Sequence, residues 1–256
     1  MAQYKKHASL AVETQRDSMA LTFGGTDEKE TQLLNTVKSF IKNTPVIGPS
    51  LGHLYGKSFK NSADYWERRY KAGGNSGPGS YSRLAEFKAD VLNRFVNQHQ
   101  IHSVIEHGSG DGAQLKLARY PSYTGLDISA RAVEMCRAIF ANDPSKRFLQ
   151  SDALTAGTKA DLALSLDVIF HLVEDSAFDA YMRQLFASAS RFVIVYSSNM
   201  ESEGPAEHVR HRQFTNWIAQ NKPEWRQESM TKNVYPWDPT DPDHTSFADF
   251  YVFAPR

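Results

Sequence analysis

The run Glu106-His-Gly-Ser-Gly-Asp-Gly112 restricts this chain more than any other segment, because it follows directly on the apolar stretch Ser103-Val-Ile. Glycine lacks a Cβ, so it accepts left-handed backbone and lets another group come close to the main chain. Three glycines at alternate positions mark a tight turn at the end of a strand. A helical segment after such a turn offers free backbone N–H groups at its start. The arrangement belongs to α/β folds in which ligands bind beyond the carboxyl ends of parallel strands.

The rest of the chain agrees with that frame. Short apolar runs at 103–106, 123–127, 147–152, 160–168 and 192–197 read as strands. Amphipathic segments separate them. Residues 81–98 place Leu84, Phe87, Val91, Leu92 and Phe95 on one side, 129–141 opens with Ser129 as an N-cap, and 175–189 carries Phe178, Tyr181, Met182, Leu185 and Phe186 on one face. Cys136 is expected to face the core from the helix at 129–141. Strands alternating with helices predict a doubly wound α/β fold with a mostly parallel, seven-stranded sheet. Two further strands, near 225–232 and 247–253, are expected to form an antiparallel hairpin at its edge. A helix is expected over 207–220, with Phe214, Trp217 and Ile218 on one face. Another, capped by Thr26 or Asp27, is expected to run to about Lys42. The chain is divided into an N-terminal helical extension and lid over 1–80, with Gly73 to Tyr81 as the flexible part, and a main domain over 81–256.

Composition narrows the function classes. Lysine plus arginine balances aspartate plus glutamate at 29 each, so no general attraction for nucleic acid or an anionic membrane is expected. A single cysteine allows no intrachain disulfide and no cysteine-based metal site. The N-terminal apolar stretch is too interrupted for a signal peptide, and no apolar run approaches the length of a membrane span. A cytoplasmic location follows as an expectation.

Gly108-Ser-Gly110-Asp-Gly112-Ala113 fits a dinucleotide spelling as well as a phosphate-free one. The acids decide between them. Glu106 ends the first strand, where an acid can meet an ammonium group. Asp127 ends the second, where a carboxylate can accept both ribose hydroxyls. Asp152 ends the third, within reach of an adenine amino group, and Asp167 ends the fourth. This E-x-G-x-G-x-G motif with four acids in register resembles class I (Rossmann-like) S-adenosylmethionine-dependent methyltransferases, over about residues 100–200. The wider likeness is to bacterial enzymes that modify sugars, surface polysaccharides and natural products. The resemblance implies S-adenosyl-L-methionine as cofactor, held by Glu106, Gly108, Ser109, Gly110, Gly112, Asp127, Ile128, Ser151, Asp152, Ala153 and Asp167. Tyr65 and Trp66, followed by Tyr70, resemble an aromatic segment folded over the cofactor. Tyr65, Arg69 and Tyr81 join the expected cofactor set, Arg69 at the cofactor's carboxylate.

Methyl transfer requires an aligned acceptor and, for a hydroxyl, removal of a proton. Histidine suits that task. His171 lies four residues after Asp167, and His208 and His211 share a face if 207–220 is helical. All three are candidate catalytic residues. Arg210 and Arg212 are candidates for binding an anionic or phosphorylated substrate. A divalent ion on His171, His208, His211 and Glu174 is the metal alternative, and no metal is assigned. The expected activity is O-methylation of a small acceptor, sugar-linked or phosphorylated, with a histidine base. The partner is then a small molecule, with neither nucleic acid nor membrane involved, and a homodimer is allowed. An NAD-dependent oxidoreductase and a non-catalytic adenosylmethionine-binding module are the alternatives. Methylation of nucleic acid ranks low, because Ser165-Leu-Asp-Val-Ile-Phe stands where an Asn-Pro-Pro-Tyr motif is expected.

Overall fold

The computed structural model describes residues 59–204 and 206–256. Phe59–Arg256 forms one compact unit. The helix expected between residues 26 and 42 lies outside the described residues, as does most of the expected extension.

The unit opens with α1 (Ser62–Lys71), where only an aromatic and charged stretch was read. Asn61 starts it, its side chain accepting from the Asp64 amide, which satisfies one of the free donors of the first turn. A short 3-10 turn, Pro78–Ser80, leads to α2 (Ser82–Gln98). Then follow β1 (Val104–His107), β2 (Tyr123–Asp127), α3 (Ala130–Ile139), β3 (Lys146–Gln150), β4 (Ala160–Leu166), α4 (Asp175–Ala187) and β5 (Ala189–Ser197). The last part holds a two-stranded hairpin, β6 (Ser202–Glu203) and β7 (Arg210–His211), then α5 (Phe214–Asn221), β8 (Trp225–Thr231) and β9 (Asp249–Pro255).

Seven strands form one sheet in the order β3-β2-β1-β4-β5-β9-β8. The pairs among β1 to β5 are parallel, and β9 runs antiparallel to both β5 and β8. The sheet is thus mostly parallel with an antiparallel edge, as expected. Side chains alternate between two apolar cores with the period of a strand. Val104, Leu162, Leu164, Ile194 and Tyr196 face one core with Leu92 and Val96 of α2 and Val133 of α3. Ile105, Ala163, Val193 and Val195 face the other with Phe178 and Met182 of α4 and Phe214 and Ile218 of α5. Cys136 is buried in the first core, on α3, as expected.

Most predicted boundaries fall within a few residues of those observed, and the helix over 207–220 is the exception. His211 and Arg210 lie in β7, paired with Ser202 and Glu203, and helix begins only at Phe214. The apolar spacing that suggested a helix is carried by Phe214, Trp217 and Ile218 alone. Before them, His211 is buried while Arg210 is half-buried, and the Gly204 amide donates to the Val209 carbonyl. His208 and His211 therefore share no helix face. Asp152 is displaced too: β3 stops at Gln150, and Asp152 sits in a 3-10 turn, Ser151–Ala153. No helix among the described residues is long and apolar enough to cross a membrane.

Candidate functional site

Parallel strands β1, β2 and β4 end on one side of the sheet, and a cavity of about 730 Å³ opens there. That size suits a cofactor with a small second ligand. Its floor is the glycine turn. Gly108 and Gly110 have φ of 87° and 58°. A Cβ on Gly108 would run into Val168, and one on Gly110 into the Ser76 hydroxyl. The turn is therefore wedged between β4's exit and the segment after α1.

Two buried carboxylates frame this floor. Glu106 is 5 % exposed and accepts from the Tyr123 hydroxyl at 2.7 Å. Burial pushes its pKa up to about 7, against the pull of Tyr123 and Lys88. Asp127 is 6 % exposed and accepts from the amides of Gly110 and Ser129, both at 2.9 Å. Burial raises it to about 6, against those two bonds. An ionised carboxylate without a cation is costly in such a place. The pair thus favours a ligand that brings a positive charge and hydroxyl donors.

Asp167 follows β4 with φ of 58°, a left-handed conformation uncommon outside glycine. Its Oδ2 lies 2.6 Å from the Lys88 ammonium, which is 1 % exposed on α2 and lines the cavity. Sequence reading missed Lys88, although the signal was present. It falls at i+4 from Leu84 and i−4 from Leu92, in the middle of the apolar stripe of α2. Gln114 was missed as well. Its side-chain nitrogen donates to the Ala85 carbonyl at 3.0 Å, and its Oε1 is buried without a partner.

Gly108, Ser109, Gly110, Asp127, Ile128, Ser151 and Asp167 also line the cavity with Glu106 and His171. Gly112 stands behind the turn, against Phe140 and Cys136 of α3. Asp152 and Ala153 are exposed and outside the lining. α1 covers the opening with Trp66 and Tyr70. Tyr65 instead stacks on His208, with ring centres 4.0 Å apart. The Arg69 guanidinium is turned away to the Asn75 carbonyl at 2.6 Å and to the Asn75 side chain. Tyr81 donates to Asp111 at 2.7 Å.

His171 ends a 3-10 turn, Ile169–His171, on the cavity wall. Its Nδ1 lies 3.0 Å from the His208 carbonyl, which can only accept, so Nδ1 carries the proton. Trp66 meets the ring edge-on at 4.8 Å. Burial, opposed by the bond to His208, lowers its pKa to about 3. His208 and His211 stay outside the lining; His211 is buried with its Nδ1 2.7 Å from the Ser198 hydroxyl. Arg210 and Arg212 donate to the exposed Asp175 and to the carbonyls of Leu172 and Val173. No group of three or more metal-ligating side chains occurs among the described residues.

Residues 105–194 match the family model of the methyltransferase domain. Among solved structures, the chain is similar to the N-methyltransferase NodS from Bradyrhizobium japonicum WM9 in complex with S-adenosyl-L-homocysteine. The TM-score is 0.57 and the identity 14 %, over 77 % of this chain and 99 % of that one. It is similar to magnesium protoporphyrin IX methyltransferase from Synechocystis PCC 6803 with bound SAH, at TM-score 0.50 and 15 % identity over 87 % and 99 %. The small RNA methyltransferase HEN1 has a TM-score of 0.51 and 14 % identity, over 69 % of this chain and 26 % of that one. No curated protein matches. These likenesses show a shared fold. The matched domain, set on a cavity that suits the cofactor, defines an S-adenosylmethionine-dependent methyltransferase. Its cofactor is S-adenosyl-L-methionine.

The residues present fit that cofactor. The glycine turn is bare of side chains where the nucleoside would approach, the buried Asp127 would accept from ribose hydroxyls, and Gln114 holds a buried oxygen with no donor to serve. When bound, the cofactor supplies a methyl group activated by its sulfonium.

Proposed function

We propose that this enzyme methylates the oxygen of a small hydroxylated acceptor, with His171 as the proton acceptor. The observation that carries the reading is the state of His171. It lines the cavity, is neutral, and has Nδ1 fixed by the His208 carbonyl, so its Nε2 lone pair is the one left to face a ligand. A base whose pKa lies near 3 does not deprotonate an alcohol in advance. It does not need to: as the acceptor oxygen bonds to the methyl carbon, its proton becomes strongly acidic and passes to a weak base. An alkylammonium acceptor would have to lose its proton before attack, which so weak a base does not remove, and this favours oxygen. A cavity of about 730 Å³ that must also hold the cofactor favours a small acceptor, and a sugar-linked one agrees with the likeness in sequence. A phosphorylated acceptor loses its support, because Arg210 and Arg212 are committed to Asp175. The segment from Gly73 to Tyr81 serves as the lid.

The test follows S-adenosylhomocysteine release from the wild-type enzyme and His171→Ala, over a panel of small alcohols, phenols and sugars with their amine counterparts. Hydroxylated acceptors should turn over, and His171→Ala should lower kcat by about 10²–10⁴ with cofactor affinity nearly unchanged. Turnover restricted to amines, or an unimpaired His171→Ala, would overturn the reading.

A further inference from the structure

The cavity contains a cation and an amide oxygen that neither the acceptor reading nor the nucleoside contacts use. Lys88 reaches it from α2, buried to 1 %, with Asp167 as its hydrogen-bond partner and the Tyr196 ring 5.4 Å away. An ammonium has three donors, and Asp167 takes one. Gln114 reaches it from the first residue of the 3-10 turn after the glycine motif. Its amide nitrogen is pinned on Ala85, and its oxygen is buried with nothing to accept from. Glu106 lies near enough to Lys88 for mutual attraction. Gly79 permits the arrangement: a Cβ there would come within 2.8 Å of the Asp167 carboxylate. Arg69, the expected partner for a carboxylate, is outside the lining and held by Asn75.

We propose that Lys88 and Gln114 read the amino-acid end of the cofactor: Lys88 binds its carboxylate, and Gln114, with Glu106, binds its ammonium group. The site is a receptor for an α-amino-acid zwitterion, with one cation and two acceptors set in a dry wall. Asp167 holds the Lys88 ammonium in place and keeps the resident charge balanced before the cofactor arrives. The left-handed backbone at Asp167 turns its carboxylate back onto α2, so that the pair bridges the two elements that flank the cavity.

Three probes separate the contributions in calorimetric titrations: S-adenosylhomocysteine, its decarboxylated analogue, and 5′-methylthioadenosine, which lacks the amino-acid part altogether. Lys88→Met should weaken S-adenosylhomocysteine at least tenfold and leave the other two within about twofold of wild type. Gln114→Leu should weaken S-adenosylhomocysteine and the decarboxylated analogue alike, and spare 5′-methylthioadenosine. Lys88→Arg should restore most of the lost affinity. Unchanged binding of 5′-methylthioadenosine shows in the same experiment that each variant folds. Equal losses on all three probes, or no loss for S-adenosylhomocysteine in Lys88→Met, would overturn the proposal. Failure of the wild-type chain to bind any of the three would overturn the cofactor assignment along with it.

Discussion

At the scale of single residues, the site depends on groups in costly states. His171 is a neutral imidazole, lowered to about pH 3 mainly by burial. Its unprotonated fraction stays constant from pH 5 to pH 8, so kcat measured at saturating substrate should show no histidine-like inflection near pH 6.5. A clear inflection there that vanishes in His171→Ala would contradict its buried state. Gly110 has φ of 58° and touches Ser76, so Gly110→Ala meets both strain and a collision. It should cost roughly 1–3 kcal/mol of stability by thermal unfolding and weaken S-adenosylhomocysteine in calorimetry. The positions of Glu106 and Asp127 on the cavity wall were legible because glycine spacing and strand ends locate them without tertiary information. Lys88 needed a different kind of attention. A lysine in an apolar stripe was visible, but its partner Asp167 is 79 positions away, and no local pattern records a pairing of that length.

At the scale of elements, α1 is tied down at three places around the cavity. Its first residue, Ser62, donates to Glu174 through both backbone and hydroxyl, at 3.0 and 2.7 Å. In its middle, Glu67 accepts from the Ser129 hydroxyl at 2.5 Å and from the Arg131 amide at 3.3 Å, which places an acid at the start of α3. Beyond its end, the Ser76 amide and the Tyr81 hydroxyl both donate to Asp111. Asp111→Ala removes the third tie. It should speed the release of S-adenosylhomocysteine in stopped-flow displacement by about tenfold or more, which corresponds to losing two hydrogen bonds to a charged group. Release at the wild-type rate would mean that this tie does not hold the cover. The strands and the helices between them were readable from period and caps. α1 was not, because the bonds that fix it over the cavity run from Ser62 to Glu174 and from Glu67 to Ser129, 112 and 62 positions away. The stretch before α5 misled for the opposite reason: three well-spaced apolar residues suggested more helix than the buried His211 allows.

At the scale of the whole molecule, Glu106 and Asp127 link folding to pH with an unusual sign. Their folded values, about 7 and about 6, lie above the ordinary 4.5 and 3.8. A raised folded pKa gives stability that is full below the unfolded value and is lost as pH rises through the folded one. Without cofactor, the protein should therefore lose roughly a few kcal/mol between pH 4.5 and pH 7.5 from these groups. His171 and His107, lowered by burial to about 3 and about 4, act in the opposite sense over the same range, so the share of Glu106 is read as the difference in the pH dependence of Tm between the wild type and Glu106→Gln. Saturating S-adenosylhomocysteine should shrink that difference, because its ammonium favours the ionised form of Glu106. A Tm whose pH dependence is the same in Glu106→Gln as in the wild type would contradict the raised pKa of that acid. The latched cover over the cavity has a kinetic meaning as well. Each catalytic cycle ends with spent cofactor beneath a helix held at three points, and opening must precede every exchange. Opening is then a step of its own, and the rate of S-adenosylhomocysteine release should fall as solvent viscosity rises.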